Sequence, residues 1–128
     1  MNEFVFDASA MLAILQHELG AEKLTAEILD RAVASTVNLA EVQSKLVKMR
    51  NDPDRAWEAA FSTIVEAVPY TCEQAKIAGS LIAETERYGL SLGDRSCLAL
   101  AIALKAPVYT TERIWKNVHV GVPIHVIR

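Results

Sequence analysis

Four acidic residues are spaced along the chain so that they could gather at one metal site. Asp7 follows the apolar run Phe4–Phe6, Glu41 lies in VNLAEV, Asp94 begins an apolar segment, and Glu112 follows VYTT. Parallel strands before Asp7, Glu41 and Glu112 would bring these acids to one edge of a sheet. Clustered carboxylates stay ionised only if cations compensate them, and hard oxygen ligands favour Mg²⁺ or Mn²⁺. Two such ions about 4 Å apart can activate water against a phosphodiester.

Each acid also has an ordinary structural interpretation. Asn38-x-x-Glu41 and Ser91-x-x-Asp94 both match the helix capping box, and Glu112 suits a helix N-terminus. An acid directly after a strand is also common in turns and at helix starts. Capping explains every acid singly, but it does not explain why three of them share the position at a strand end.

Strands and helices alternate along the sequence, which predicts an α/β domain with a mainly parallel sheet of four to five strands. Ser9 and Asn38 are the expected N-caps of the first and third helices. The predicted strands are FVF, VASTVNL, AVPYT, VYTT and PIHVIR. The predicted helices span residues 10–18, 22–32, 40–50, 54–66, 73–88, 91–105 and 112–117.

Length and composition predict a single globular domain over residues 1–128. The chain is 52% hydrophobic and 23% charged, which is ordinary for a packed domain. Its longest apolar run, residues 97–104, is too short to span a bilayer, and Glu3 is unlike the basic start of a signal peptide. We therefore expect a cytoplasmic protein without a membrane segment, in which Cys72 and Cys97 are buried, reduced thiols.

Four segments, taken in order, resemble the PIN-domain ribonucleases. They are FDAS near the N-terminus, NLAEV in the middle, LSLGDRSCLALA, and VYTTERIW near the C-terminus. The likeness covers essentially the whole chain and is greatest to the small VapC-type toxins of bacterial toxin–antitoxin pairs. The resemblance implies a three-layer α/β/α domain and an endoribonuclease that depends on Mg²⁺ or Mn²⁺. It also implies an RNA substrate, a VapB-type antitoxin partner and a homodimer. The apolar helices of residues 11–29 would help to form both protein contacts, with ordinary core packing as the alternative.

The same resemblance assigns the site residues. Asp7, Glu41 and Asp94 match the family's three central acids in type and place, so they are the expected metal-binding and catalytic residues together with Glu112. The family usually has Asp where this chain has Glu112, whose extra methylene leaves open whether it binds metal directly, through a water, or weakly. The hydroxyls that match the family's site are those of Ser9, Thr110 and Thr111.

Net charge at first argues against an RNA partner. The formal charge is −3, but two divalent ions at four carboxylates would bring it to +1. Arg95, beside Asp94, and Arg113, beside Glu112, are the predicted phosphate contacts. Weaker candidates are Lys45, Lys48 and Lys116.

Other functions fit the sequence less well. An aspartyl phosphatase needs a second Asp two residues after the first, where this chain has Ser9, and a phosphoacceptor domain needs a Lys after a late strand, whereas Lys105 precedes VYTT. A degenerate PIN-like module that binds RNA or protein remains an alternative because of Glu112. The three histidines, His17, His119 and His125, are too scattered for a site, and Trp115 is expected in the core or the site wall rather than stacked on a base.

Overall fold

Five short parallel strands form the central sheet, in the order β3-β2-β1-β4-β5. They belong to a computed structural model that describes residues 3–128. The strands are β1 (Phe4–Phe6), β2 (Ala32–Ser35), β3 (Glu66–Val68), β4 (Val108–Thr110) and β5 (Ile124–Val126).

Seven α-helices connect these strands within residues 3–128. Short 3-10 turns at Ala21–Lys23, Glu86–Tyr88 and Arg113–Asn117 complete the connections. The helices are α1 (Ala8–Leu15), α2 (Ala26–Leu29), α3 (Thr36–Lys48), α4 (Pro53–Phe61), α5 (Cys72–Ser80), α6 (Ile82–Thr85) and α7 (Leu92–Leu104). No helix in this part of the chain is both long and apolar enough to cross a membrane.

The sheet has a hydrophobic core on each face. Side chains alternate along β1, so that Phe6 packs with α1, α3 and α4 on one face while Val5 packs with α7 on the other. The second core contains Trp115, which is 1% exposed. The predicted three-layer α/β/α fold with a parallel sheet is therefore confirmed.

Two predicted N-caps are wrong because the chain turns from strand to helix without a linker. Helix α1 begins directly after β1, so its N-cap is Asp7, which accepts a hydrogen bond from the amide of Ala10 at 2.8 Å, and not Ser9. Strand β2 ends at Ser35, whose hydroxyl accepts from the amide of Val37 at 3.1 Å and caps α3. Asn38 therefore lies inside α3, and the predicted second strand was too long.

Two other predicted helices are interrupted by local hydrogen bonding. The predicted helix 22–32 is reduced to α2, because Thr25 caps its first turn and separates it from the preceding 3-10 turn. The predicted helix 73–88 is divided into α5, α6 and a 3-10 turn. Near this break the Thr85 hydroxyl donates to the carbonyl of Leu81 at 2.8 Å, a bond of the kind that bends helices. Gly89, at φ 72°, ends this segment as expected.

The two cysteines have different environments. Cys97 is buried on α7, as predicted, but Cys72 is exposed at the start of α5, so the prediction of two buried thiols was wrong for Cys72. Both are free thiols. Burial is the main cause that raises the pKa of the Cys97 thiol well above its ordinary value, which keeps the thiol protonated.

Gly20 allows the loop after α1 to approach the C-terminal segment. Its φ is 102°, and a Cβ at this position would overlap the carbonyl oxygen of Ile127 and lie 3.0 Å from its carbonyl carbon. The amide of Ile127 in turn donates to the carbonyl of Thr110 at 2.9 Å. The absence of a side chain at Gly20 thus helps to hold the last residues against the end of β4.

We predict that Gly20→Ala lowers the free energy of unfolding by about 2 kcal/mol or more, because it combines an unfavourable φ with a backbone clash. Gly121→Ala is the matched control, since Gly121 has φ 91° but no atom within 4 Å of the added Cβ. Gly121→Ala should lower the free energy of unfolding by only about 1 kcal/mol, which is the cost of a side chain at positive φ. Denaturant unfolding measures both, and equal losses would contradict the packing argument.

Candidate active site

The candidate site lies at the topological switch point of the sheet, the reversal point where successive strands stop extending one side of β1 and begin to extend the other. From β1 the chain adds β2 and β3 on one side of the sheet, and β4 then pairs with the other side of β1. Open α/β sheets bind ligands in the crevice outside the carboxyl ends of the strands at such a point. Asp7 follows β1 and Thr110 ends β4, so both lie at this crevice.

Asp7 is the most deeply buried acid of the site, at 2% exposure. The hydroxyl of Thr110 donates to its Oδ2 at 2.6 Å. The hydroxyl of Ser9 donates to the carboxylate at 2.7 Å from Oδ1 and 2.9 Å from Oδ2, and the amide of Ala10 donates to Oδ1. The Ser9 hydroxyl also accepts from the amide of Thr111 at 2.9 Å, which links α1 to the end of β4. These bonds fix the orientation of the carboxylate.

The environment of Asp7 raises the pKa of its carboxyl from 3.8 to about 6. Burial is the main cause, because it removes the charged form from water. The hydrogen bonds from Thr110, Ser9 and Ala10 oppose this effect, while the charge of Asp94 adds to it. Asp7 thus carries a negative charge that the protein alone compensates only in part.

Glu41 reaches the same crevice from the second turn of α3. The side-chain Nδ2 of Asn38 donates to its Oε1 at 2.7 Å. Partial burial raises the pKa of Glu41, the Asn38 hydrogen bond opposes the rise, and the charges of Asp94 and Lys45 act in opposite directions. The predicted Asn38–Glu41 capping box is wrong, because both residues lie inside the helix, where a spacing of three instead brings their side chains together.

Asp94 has a capping role and also faces the other acids. The amide of Ser91 donates to its Oδ2 at 2.9 Å, and its own amide donates to the Ser91 hydroxyl at 3.1 Å, so the predicted capping box at the start of α7 is confirmed. Its charge raises the pKa of both Asp7 and Glu41. The capping and site interpretations of Asp94 are therefore compatible.

Glu112 is exposed at the rim of the site. It precedes the 3-10 turn Arg113–Asn117 but makes no side-chain capping hydrogen bond, so the capping interpretation does not account for its carboxylate. Its amide donates to the Thr110 hydroxyl at 3.1 Å. The same hydroxyl that binds Asp7 thus also fixes the backbone of Glu112.

One cavity of about 400 Å³ brings the four acids together. Of the predicted hydroxyl residues, Ser9 and Thr111 line it, while Thr110 lies fully buried behind Asp7. The residues around the cavity are Asp7, Ala8, Ser9, Leu12, Gln16, Glu18, Glu41, Lys45, Met49, Ser91, Asp94, Thr111, Glu112 and Arg128.

The basic residues at the cavity are not those that the sequence favoured. Lys45 and Arg128 line it, whereas Arg95 and Arg113 do not. An Nη atom of Arg95 donates to the carbonyl of Ala78 at 2.9 Å, and Arg113 is exposed outside the cavity, so their contact with RNA stays a prediction. Arg128 was not among the predicted contacts, because only the fold brings the C-terminal segment to this cavity.

Arg128 is held at the cavity by two contacts from the segment after α1. Its Nη2 lies 2.6 Å from Oε1 of Glu18, and its Nε donates to the carbonyl of Leu19 at 3.0 Å. The guanidinium is therefore fixed beside the acids, although it is not paired with them. The three histidines are exposed, as expected, and none lines this cavity.

The donor set fits hard divalent cations by its chemistry. Five carboxylates, of which that of Glu18 is paired with Arg128, and three hydroxyl side chains line one crevice. The raised pKa values of Asp7 and Glu41 indicate negative charge that a cation would stabilise. Among residues 3–128, however, no three His, Cys, Asp or Glu side chains are arranged closely enough to hold one ion. The carboxylates would have to converge when an ion binds.

The family model of the PIN domain matches residues 4–120 of the chain. The chain belongs to the PIN domain family. No curated protein matches the sequence significantly.

Solved structures with the same fold include several from VapBC toxin–antitoxin complexes. The DNA-bound VapBC of Salmonella typhimurium is 19% identical, with a TM-score of 0.75 and full coverage of both chains. VapBC2 of Rickettsia felis, bound to a promoter DNA fragment, is 19% identical, with a TM-score of 0.73 and 98% of each chain covered. VapC20 of Mycobacterium tuberculosis, described as a sarcin-ricin loop cleaving toxin, is 19% identical, with a TM-score of 0.71 over 94% of this PIN domain and 99% of that chain. At this identity the likeness establishes the fold.

We predict that Asp7→Asn changes how the stability of the metal-free PIN domain depends on pH. Because the folded-state pKa of Asp7 is raised, the wild type loses stability as pH rises from about 4 to about 6, where the unfolded chain ionises first. This loss should reach about 3 kcal/mol. Asn keeps an oxygen that can accept the hydrogen bond from the Ala10 amide, and it cannot ionise. The free energy of unfolding of the variant should therefore rise relative to that of the wild type over this pH range. Urea unfolding from pH 4 to 7.5 measures the difference, and a constant offset would contradict the assignment.

Proposed function

We propose that this PIN domain is an endoribonuclease that depends on Mg²⁺ or Mn²⁺ and acts in the cytoplasm as a VapC-type toxin. The observation that carries the proposal is the convergence of Asp7, Glu41, Asp94 and Glu112 on one cavity at the reversal point of the sheet. Capping alone accounts for the carboxylate of Asp94 but leaves those of Glu41 and Glu112 unexplained.

In this proposal the four acids bind the metal and the neighbouring groups orient them. Divalent ions bound there would supply a water nucleophile and stabilise the leaving oxygen of an RNA phosphodiester. Ser9 and Thr110 hold the Asp7 carboxylate, and the Thr110 hydroxyl also accepts from the amide of Glu112. Thr111, which lines the cavity, is placed to donate a hydrogen bond from its hydroxyl to the substrate.

Whether Glu112 can help to hold metal is the point on which a catalytic PIN domain and a degenerate binding module differ. Its carboxylate is exposed at the cavity rim and makes no capping bond, so its longer side chain is free to turn toward an ion. We therefore propose that Glu112 would help to hold a divalent ion. A PIN-like module without catalysis is the alternative, and metal-dependent cleavage separates the two.

Lys45 and Arg128 are the proposed phosphate contacts inside the cavity. They are its two Lys or Arg residues within the described part of the chain, and they flank the acids from α3 and from the C-terminal segment. A guanidinium fixed by Glu18 and Leu19 is well oriented to bind a phosphate. Arg95 and Arg113 remain proposed contacts for RNA outside the cavity.

A VapB-type antitoxin and a second copy of the chain are the proposed protein partners. Support comes from the similar chains solved in VapBC complexes and from apolar surface near the first two helices. Leu19 is 68% exposed, and a shallow groove there is lined by Ile14, Leu24 and Leu29. Two residues of the predicted apolar surface, Met11 and Leu12, instead pack in the hydrophobic core.

We predict that the purified protein cleaves single-stranded RNA with millimolar Mg²⁺ or Mn²⁺, and that EDTA stops the reaction. Asp94→Asn should lower the rate at least about 100-fold, because it removes a metal-binding charge. Its metal-free stability should stay within about 1 kcal/mol of the wild type. Asn can still accept from Ser91, and the lost charge at the helix end is offset by weaker repulsion of Glu41.

Asp54→Asn is the matched control, since Asp54 is an exposed acid in the first turn of α4 that lies outside the cavity. It should cleave RNA at the wild-type rate. Cleavage that persists in EDTA would overturn the metal mechanism, and a fully active Asp94→Asn protein would reduce Asp94 to a helix cap.

We predict that Lys45→Ala and Arg128→Ala each raise KM several-fold, because each removes a phosphate contact. Arg128→Ala should change kcat little, whereas Lys45→Ala also removes a positive charge that lowers the pKa of Glu41. Each should also reduce the slope of log(kcat/KM) against log salt by about 0.7, the value for one contact to single-stranded nucleic acid. Lys48→Ala, on the same helix but outside the cavity, and Arg31→Ala, which also breaks an arginine–glutamate pair, are the controls. Unchanged salt slopes in both test variants would exclude this assignment.

A further inference from the structure

We propose that Asn38 and Gly93 are positioning residues that together fix the Glu41 carboxylate against the first turn of α7. The inference rests on the proposed function in so far as Glu41 is taken to bind metal. Neither Asn38 nor Gly93 lines the cavity, and neither carries a charge. Their role is therefore to act through Glu41.

Asn38 joins α3 to α7 through one amide group. Its Nδ2 donates to Oε1 of Glu41 at 2.7 Å and to the backbone carbonyl of Gly93 at 3.1 Å. The Gly93 carbonyl and the ionised Glu41 carboxylate can only accept hydrogen bonds. The side-chain NH₂ group of Asn38, and not its Oδ1, must therefore face them. The two hydrogens of Nδ2 thus set the Glu41 carboxylate at a fixed distance from the α7 backbone.

Asn38 is an unfavourable residue for a purely structural position. It is 1% exposed, and its Oδ1 has no hydrogen-bond partner within residues 3–128. A buried unsatisfied oxygen costs stability, and an apolar side chain would avoid that cost in the interior of a helix that packs on α7. The amide at this position is explained if its function is to orient Glu41.

Gly93 provides the space that this orientation needs. A Cβ on Gly93 would lie 2.6 Å from Oε1 and 2.5 Å from Cδ of Glu41, and closer still to Oε2. Any other residue would push the carboxylate away from α7. Because the obstructing group is the flexible end of a side chain, the fold itself can tolerate Ala at this position while Glu41 cannot keep its place.

Gly79 offers a matched control within the same domain. It also lies in a helix, α5, but nothing is within 4 Å of a Cβ added there. Gly79→Ala and Gly93→Ala therefore make the same chemical change, and only the second affects Glu41.

The first test measures Mn²⁺ binding by calorimetry without RNA. We expect Gly93→Ala and Asn38→Ala to weaken Mn²⁺ binding about 10-fold or more, and Gly79→Ala to leave it unchanged. In a Glu41→Gln background the Asn38→Ala change should have little further effect, because its action passes through Glu41. Equal Mn²⁺ affinity in Gly93→Ala and Gly79→Ala, or additive losses in the double variant, would overturn the proposal.

The second test does not depend on metal or activity. Metal-free crystal structures of Gly93→Ala and Gly79→Ala should differ in the place of the Glu41 carboxylate, which moves only in Gly93→Ala. A carboxylate that stays in place would refute the positioning role even if the protein proves to be a nuclease. A displaced carboxylate in a protein that neither binds Mn²⁺ nor cleaves RNA would instead retain the positioning role and reject the proposed function.

Discussion

The burial of a single carboxylate, that of Asp7, is the constraint on which the rest of the site depends. A carboxylate that is 2% exposed is stable only if nearby groups donate to it, and here the donors come from α1 and from the end of β4. These elements are far apart in sequence but adjacent at the reversal point of the sheet. The pairing of β1 with β4 therefore both forms the core and completes the shell of hydroxyls around Asp7.

Helix starts supply two of the four acids, and this explains why a capping acid and a candidate metal ligand are hard to tell apart in the sequence. Asp7 caps α1 and Asp94 completes the capping box of α7, so each satisfies backbone amides that would otherwise be unpaired. The same helix ends carry partial positive charge, which lowers the cost of crowding acids together. Helix capping thus makes an acidic site tolerable before any cation binds.

Most of the architecture could be predicted from the sequence because it follows from patterns of a few residues. The alternation of apolar strands and helices predicted the three-layer fold. Asp7 and Glu112 reach the cavity from strand ends as expected, whereas Glu41 reaches it from the second turn of α3 and not from a strand end. The errors at Ser9 and Asn38 arose because β-propensity and capping preference do not locate a junction that has no linker. The position of Arg128 at the cavity could not be predicted, since it depends on the path of the C-terminal segment past Gly20 and β4.

The contact between Gly93 and Glu41 also constrains how this sequence can diverge. A small residue on α7 and a long acid on α3 occupy one shared volume, so neither position can drift alone without disturbing the carboxylate. An enlargement at position 93 displaces the carboxylate unless the acid at position 41 is shortened. Across descendants of this chain the two positions should therefore covary, with the size of one side chain inversely related to the length of the other.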